Sequence, residues 1–200
     1  MHTSINDCRL GVLALQGGFY KHIEMLQQIG VQARTVKEPR DLESLQGLLI
    51  PGGESTTIGM LMDRFGLLTE LRERIANGFP VFGTCAGAIL LADEIEGSDQ
   101  IRIGGLPVTV RRNAYGRQIE SFEADLTISD IEREQDPLCG VFIRAPQILS
   151  CTDKVRILSR YEEMPVVVRS ESLLAATFHP ELTRDDRLHR YFISRIVLQQ

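Results

Sequence analysis

Three short stretches carry residue types that together can do nucleophilic chemistry: "GTCAG" (83–87), "HPE" (179–181) and "PGGEST" (51–56). In the first, Cys85 stands between Gly83 and Gly87, with an apolar run on either side. A sharp strand-to-helix turn of this kind puts its central residue in a strained backbone region and projects that side chain above the sheet edge. Small residues two positions away let the neighbouring chain segments approach. At a helix N-terminus the backbone N–H groups and the dipole favour an anion, which suits a thiolate nucleophile. The same motif also fits a buried, inert cysteine packed by glycines, so the presence of a base decides between the two readings.

The sequence has four histidines. His2 lies close to the chain start, and His22 and His189 fall within polar-rich helical stretches, where a solvated surface position is the expectation. His179 ends the apolar segment "LLAATF" and precedes Pro180, and a residue before proline is pushed to extended geometry. Two residues on, Glu181 falls on the same side of an extended chain and can fix the imidazole tautomer, as the third member of a triad does. On its own, the pair also fits a strand-end histidine beside a surface glutamate. In "PGGEST", the backbone N–H groups of Gly52 and Gly53, together with that of Ala86, can form an oxyanion hole. Ser55 is placed to cap the helix that follows. Phosphate binding by this loop is disfavoured, because none of the three lysines (Lys21, Lys37, Lys154) sits at P-loop spacing.

These residues need a scaffold that brings separate turns to one edge. Apolar runs at 9–15, 31–36, 47–53 and 80–84 read as strands buried on both faces. Between them lie helical stretches over 19–30, 55–63 and 67–76, and "AGAILLADE" (86–94) follows the last strand as a further helix. The spacing of Ile23, Leu26 and Ile29 gives the first helix one apolar face, and Gly30 is its stop. This alternation predicts an α/β fold: a three-layer, flavodoxin-like, mostly parallel sheet with helices on both faces. After residue 100 the rhythm changes to short strand-like segments at 106–112, 118–128, 140–146, 155–161, 164–170 and 173–180, some of them an antiparallel extension of the sheet. Residues 129–137 read as a surface loop, and 183–200 as a closing amphipathic helix with Leu188, Phe192 and Ile196 on one face. No repeat or linker interrupts residues 1–200, so one domain is expected.

Bulk composition narrows the classes. The chain has 200 residues, 43% hydrophobic and 24% charged, with a net charge of −5. An acidic chain with mixed charges lacks the electrostatic footprint of a nucleic-acid binder. The longest apolar run, 79–92, is too short to span a bilayer and contains Pro80. No secretory signal pattern opens the sequence, so a cytoplasmic protein without a membrane segment is expected. Cys8, Cys85, Cys139 and Cys151 are far apart, with no C-x-x-C pair, and free thiols are expected. No His/Cys/Asp cluster has metal-ligand spacing, so no metal and no cofactor is expected.

Taken together, "GVLALQG", "LIPGGESTT", "GTCAGAILLA", "RRNAYGRQIESF", "FIRAP", "ATFHPEL" and "HRYF" resemble the class I (triad) glutamine amidotransferases. Within that superfamily they resemble the glutaminase subunits of two-component pyridoxal 5'-phosphate synthases, over nearly the whole chain. The resemblance implies a Cys85–His179–Glu181 triad that hydrolyses L-glutamine and passes ammonia to a synthase subunit. It implies that Gly53, Glu54, Ser55, Arg112, Ile143 and Arg144 line the glutamine pocket, and that Gln16 lies near the face that meets the partner. Without it, Arg112 and Arg144 read as solvated surface charges. The alternative that stays open is a free-standing cysteine peptidase or hydrolase on the same sheet, which keeps the cysteine turn but lacks this pocket.

Overall fold

The computed structural model describes residues 4–112 and 121–199. His2, the 113–120 part of "RRNAYGRQIESF" and the start of the strand expected at 118–128 lie outside the described residues.

In chain order, the first half runs β1 (Arg9–Leu13), α1 (Phe19–Ile29), β2 (Gln32–Val36), β3 (Gly47–Ile50), α2 (Ser55–Arg64), α3 (Leu67–Ala76), β4 (Val81–Thr84) and α4 (Ala86–Leu91). The second half runs β5 (Ala92–Ile95), β6 (Leu106–Arg111), β7 (Ser121–Leu126), β8 (Leu138–Ile143), β9 (Gln147–Cys151), β10 (Arg156–Tyr161), β11 (Met164–Ser170), β12 (Leu173–Ala176) and α5 (Arg187–Tyr191). The main sheet has the order β2-β1-β3-β4-β12-β11-β10. Its first five strands are parallel, and β11 and β10 extend it antiparallel. This is the flavodoxin-like order with an antiparallel edge, as the alternation of elements predicts. Two small sheets stand apart from it, β5-β6-β9 and the hairpin β7-β8.

Strand residues alternate between two apolar layers. Leu48, Ile50, Val81, Leu173 and Ala175 face α2, α3 and α4, through Ile58, Met62, Leu68 and Leu71. Their neighbours Leu49, Phe82, Leu174 and Ala176 face the opposite layer, where α1 and the C-terminal segment supply Leu26, Ile29, Phe192 and Ile196. Continuous apolar strands are needed because both faces of a parallel sheet are covered. α1 ends where Gly30 adopts φ +97° and its N–H bonds the carbonyls of Leu26 and Gln27.

Two expected helices are shorter than their patterns. The helix expected over 86–94 stops at Leu91, because Ala92 turns extended and β5 pairs with β6 through Ala92–Leu106 and Glu94–Thr109. In place of a single helix over 183–200, a 3-10 turn (Pro180–Leu182) precedes α5, and a wider π-type turn spans Phe192–Val197. At 183–185 the Thr183 hydroxyl donates to the Pro180 carbonyl and accepts from the Asp185 N–H, so local side-chain bonding displaces the first helical turn.

The turn after β4 depends on close backbone approach. A Cβ at Gly87 would sit 2.1 Å from the Ile50 carbonyl oxygen of β3, and one at Gly83 would sit 2.6 Å from the Gly87 carbonyl carbon. Substituting Gly87→Ala is therefore expected to lower stability by about 2–4 kcal/mol, because neither backbone segment can give way cheaply. Urea unfolding measures this; a change within about 0.5 kcal/mol would mean the packing is looser than these contacts require.

Candidate active site

The parallel register sets the site. β3, β4 and β12 are adjacent, so the loop from Pro51, the Cys85 turn and the segment from Thr177 all leave the carboxyl edge of the sheet side by side. That edge is where ligands bind in open α/β sheets. β1 borders β3, which brings the segment from Ala14 to Gly18 to the same edge.

Cys85 has φ +49° and ψ −104°, outside the ordinary regions for a residue with a side chain, and stands at the N-terminal boundary of α4. Its N–H is held by the Ala176 carbonyl of β12 at 2.9 Å. The strain expected of a sharp strand-to-helix turn is thus present at Cys85. The thiol is buried and donates to the Ile143 carbonyl at 3.8 Å.

His179 Nδ1 lies 2.7 Å from Glu181 Oε1. The two side chains meet by a route other than the expected extended chain: His179 caps a 3-10 turn that starts at Pro180 and swings Glu181 under the ring. Burial alone would lower the His179 pKa, but hydrogen bonding and charge from Cys85 and Glu181 outweigh it and raise it to about 10. Glu181 is buried, which opposes ionisation, yet the attraction of His22 and His179 holds its carboxyl below the ordinary range. A Cβ at Gly52 would sit 2.3 Å from His179 Cε1, so the imidazole packs directly on this glycine.

A cavity of about 370 Å³ opens in front of Cys85 and His179. Gly52, Gly53, Glu54, Ser55, Arg112, Ile143, Arg144 and Gln16 are among the residues that line it. Ala86 follows Cys85 as the first residue of α4, buried behind the cavity. Glu54, rather than Ser55, is the N-cap of α2: its carboxylate accepts from the N–H groups of Thr56 and Thr57 and from the Thr57 hydroxyl. Burial would raise the Glu54 pKa, but these bonds and the Arg112 charge hold it below the ordinary range. Arg112 is not a solvated surface charge. It donates to Glu54 Oε1 (2.8 Å), Thr56 Oγ1 (2.9 Å) and Gln100 Oε1 (2.6 Å). Arg144 is exposed at the rim, with φ +42°. Gln16 Oε1 accepts from the Glu54 N–H at 2.8 Å.

Several residues escaped the sequence reading. Gln100 and Thr56 fix Arg112, and nothing local in the sequence marks them. His22 and His189, expected on the solvated surface, are fully buried with Thr84 behind Glu181. The signal was available: His22 stands four and seven residues before Leu26 and Ile29, on the buried stripe of α1. Among the described residues no helix is long and apolar enough to cross a membrane, and all four cysteines are free.

Comparison with known proteins places this geometry. A family model described as the SNO glutamine amidotransferase family matches residues 12–198. A Carboxydothermus hydrogenoformans protein named pyridoxal 5'-phosphate synthase subunit PdxT is 50% identical over 188 residues, covering 94% of this chain and 97% of that one. A Kineococcus radiotolerans protein of the same name is 51% identical over 191 residues, covering 92% of each. A solved structure described as a glutamine amidotransferase superposes with a TM-score of 0.87 at 49% identity, covering 92% of this chain and 96% of that one. PurLQS of Thermotoga maritima, at 15% identity and a TM-score of 0.71 over 93% of this chain and 97% of that one, shares the fold.

The raised His179 pKa has a definite sign. Its folded value lies above the ordinary value near 6.5, so the stability contributed by protonated His179 is complete below about pH 6.5 and is lost as pH rises through about 10. Cys85→Ala and Glu181→Gln each remove a cause of the increase and should lower the titration midpoint of the His179 ring protons, followed by NMR. An unchanged midpoint in both variants would contradict the assigned causes.

Proposed function

Since the chain belongs to the SNO glutamine amidotransferase family, we propose that it is the glutaminase subunit of a pyridoxal 5'-phosphate synthase, hydrolysing L-glutamine to L-glutamate and ammonia. The observation that carries this reading is the His179–Glu181 hydrogen bond at a cavity that Cys85 and His179 both line and that bears the Glu54–Arg112 ion pair. A zwitterionic amino acid needs opposite charges for its α-ammonium and α-carboxylate, and this pair supplies both. Relatives at about 50% identity bear the name of that synthase subunit.

In this reading the Cys85 thiolate attacks the side-chain amide carbon of glutamine. Backbone N–H groups at Gly52, Gly53 and Ala86 receive the charge on the oxygen. His179 protonates the departing ammonia and leaves a γ-glutamyl thioester, then takes a proton from water as it attacks and releases glutamate. Glu181 keeps the His179 Nδ1–H in place throughout. Gly53, Glu54, Ser55, Arg112, Ile143 and Arg144 hold the substrate, and Gln16 lies toward the partner. The ammonia goes to a separate synthase subunit, and pyridoxal phosphate is the product of the pair rather than a cofactor of this chain. Residues 1–200 act as one domain in the cytoplasm.

Free ammonia would be lost to solvent, so we expect activity to depend on the partner, with the Gly52–Gly53 segment as the switch. A rotation of that peptide has to break the bond from the Gly18 N–H to the Gly52 carbonyl, 3.2 Å in this state.

Glutaminase turnover should rise by an order of magnitude or more when the cognate synthase subunit is added, and Cys85→Ala should abolish it. Equal rates with and without the partner would sink the switch. Arg112→Ala should raise the KM for glutamine about 10- to 100-fold with folding intact, on the scale of a lost charge-assisted contact; no effect would favour a hydrolase without a glutamine pocket.

A further inference from the structure

Behind the triad, on the side away from the cavity, lies a second group of polar side chains that the proposed chemistry does not use. His22 Nε2 is 3.4 Å from Glu181 Oε2 and 3.1 Å from Thr84 Oγ1. His22 Nδ1 is 2.9 Å from His189 Nε2. His22, Thr84 and His189 are each 0% exposed. Burial lowers the pKa of both imidazoles, that of His189 to about 3, so both are neutral near pH 7. Phe82 meets the His189 ring edge-on at 5.5 Å and closes the group toward the sheet.

The arrangement fixes where the protons are. One proton lies between His22 Nδ1 and His189 Nε2. If His22 supplies it, the neutral His22 ring turns a bare Nε2 lone pair toward the Glu181 carboxylate. His189 then carries its own proton on Nδ1, which has no partner among the described residues. Both consequences are costly in a buried site. If His189 supplies the proton, His22 Nε2–H lies against Thr84 Oγ1, 3.1 Å away, and His189 Nδ1 is left only as an acceptor. The second arrangement also sets an N–H rather than a lone pair 3.4 Å from Glu181 Oε2, an oxygen without a hydrogen bond among the described residues.

We infer that His22, held in the Nε2–H tautomer by His189, is a positioning residue for the triad: anchored on Thr84, it presents the positive edge of its N–H to the outer oxygen of Glu181 at 3.4 Å and so keeps the inner oxygen turned to His179. The chain Cys85–His179–Glu181–His22–His189 then runs from the cavity into the core, and helices α1 and α5 become part of the catalytic framework. This inference rests on the reading of Cys85, His179 and Glu181 as a glutaminase triad.

Three measurements test it on the full chain with its synthase partner. His22→Leu keeps the volume and removes the donor; it should lower kcat about 10- to 100-fold, the range seen when partners that orient a reactive group are removed, with KM within about twofold. His22→Gln keeps an N–H donor and should recover kcat to within a few-fold of wild type. Thermal melting of both variants separates loss of donor from loss of fold. On the wild-type chain, ¹⁵N NMR should find His22 protonated on Nε2 and His189 protonated on Nε2. Wild-type kcat in His22→Leu, equal losses in the Leu and Gln variants with folding intact, or the opposite tautomers would each overturn the inference. An inactive wild-type complex would instead overturn the glutaminase reading, while the tautomers remain measurable without turnover.

Discussion

The structure turns on how closely the peptide chain after β4 approaches the carbonyl of Ile50. A Cβ at Gly87 would lie 2.1 Å from that oxygen, so the first turn of α4 can rest against β3 only because residue 87 is glycine. This contact sets the height of the Cys85 turn above the sheet, and from it follow the strained φ at Cys85 and the bond from its N–H to β12. A strained residue persists only when its surroundings over-determine it. Here the surroundings are two neighbouring strands and a helix seated between them. The carboxyl ends of the same strands deliver Gly52 and His179, which touch each other through the space a side chain at residue 52 would fill. Three glycines, at 52, 83 and 87, thus let these segments approach where any side chain would keep them apart.

Charge is arranged by depth. The Glu54–Arg112 pair lines the cavity, half-exposed. His179 lies between solvent and core, where its neighbours favour the protonated ring. Glu181 is almost wholly enclosed and stays ionised, and beyond it His22 and His189 are neutral. An isolated carboxylate at that depth would be costly. It is tolerated because His179 is hydrogen-bonded to one oxygen and the His22 ring stands 3.4 Å from the other.

Much of this was legible in the sequence where type and spacing act locally. Gly83, Cys85 and Gly87 announce the turn, His179 and Glu181 announce a hydrogen-bonded pair, and the unbroken apolar strands announce a sheet covered on both faces. The failures share a cause. His22 and His189 were judged by polar neighbours such as Lys21, Glu24 and Arg190, yet helical periodicity put His22 on the stripe of Leu26 and Ile29, and His189 three and seven residues before Phe192 and Ile196. Residues 92–94 continue the helical stretch "AGAILLADE" in sequence, and pairing with β6 makes them part of a strand. Gln100 and Thr56 meet Arg112 through contacts 12 and 56 residues apart in sequence, a distance at which local patterns carry no signal.

The loops after β1 and β3 are tied by two bonds of different consequence. The Gly18 N–H holds the Gly52 carbonyl, and Gln16 Oε1 holds the Glu54 N–H. Gly17, at φ +96°, passes so close that a Cβ there would lie 1.9 Å from the same Gly52 oxygen. Turning the Gly52–Gly53 peptide breaks the first bond. The second bond, the cap that Glu54 makes on α2 and the grip of Glu54 on Arg112 all remain. In the proposed reading, the loop that stabilises the oxyanion can therefore change while the Glu54–Arg112 pair, which meets the charges of the amino acid, stays as it is. Control by a partner would then fall more on kcat than on KM, because the hydrogen bond that must be broken joins Gly18 to Gly52 and leaves Glu54 and Arg112 untouched.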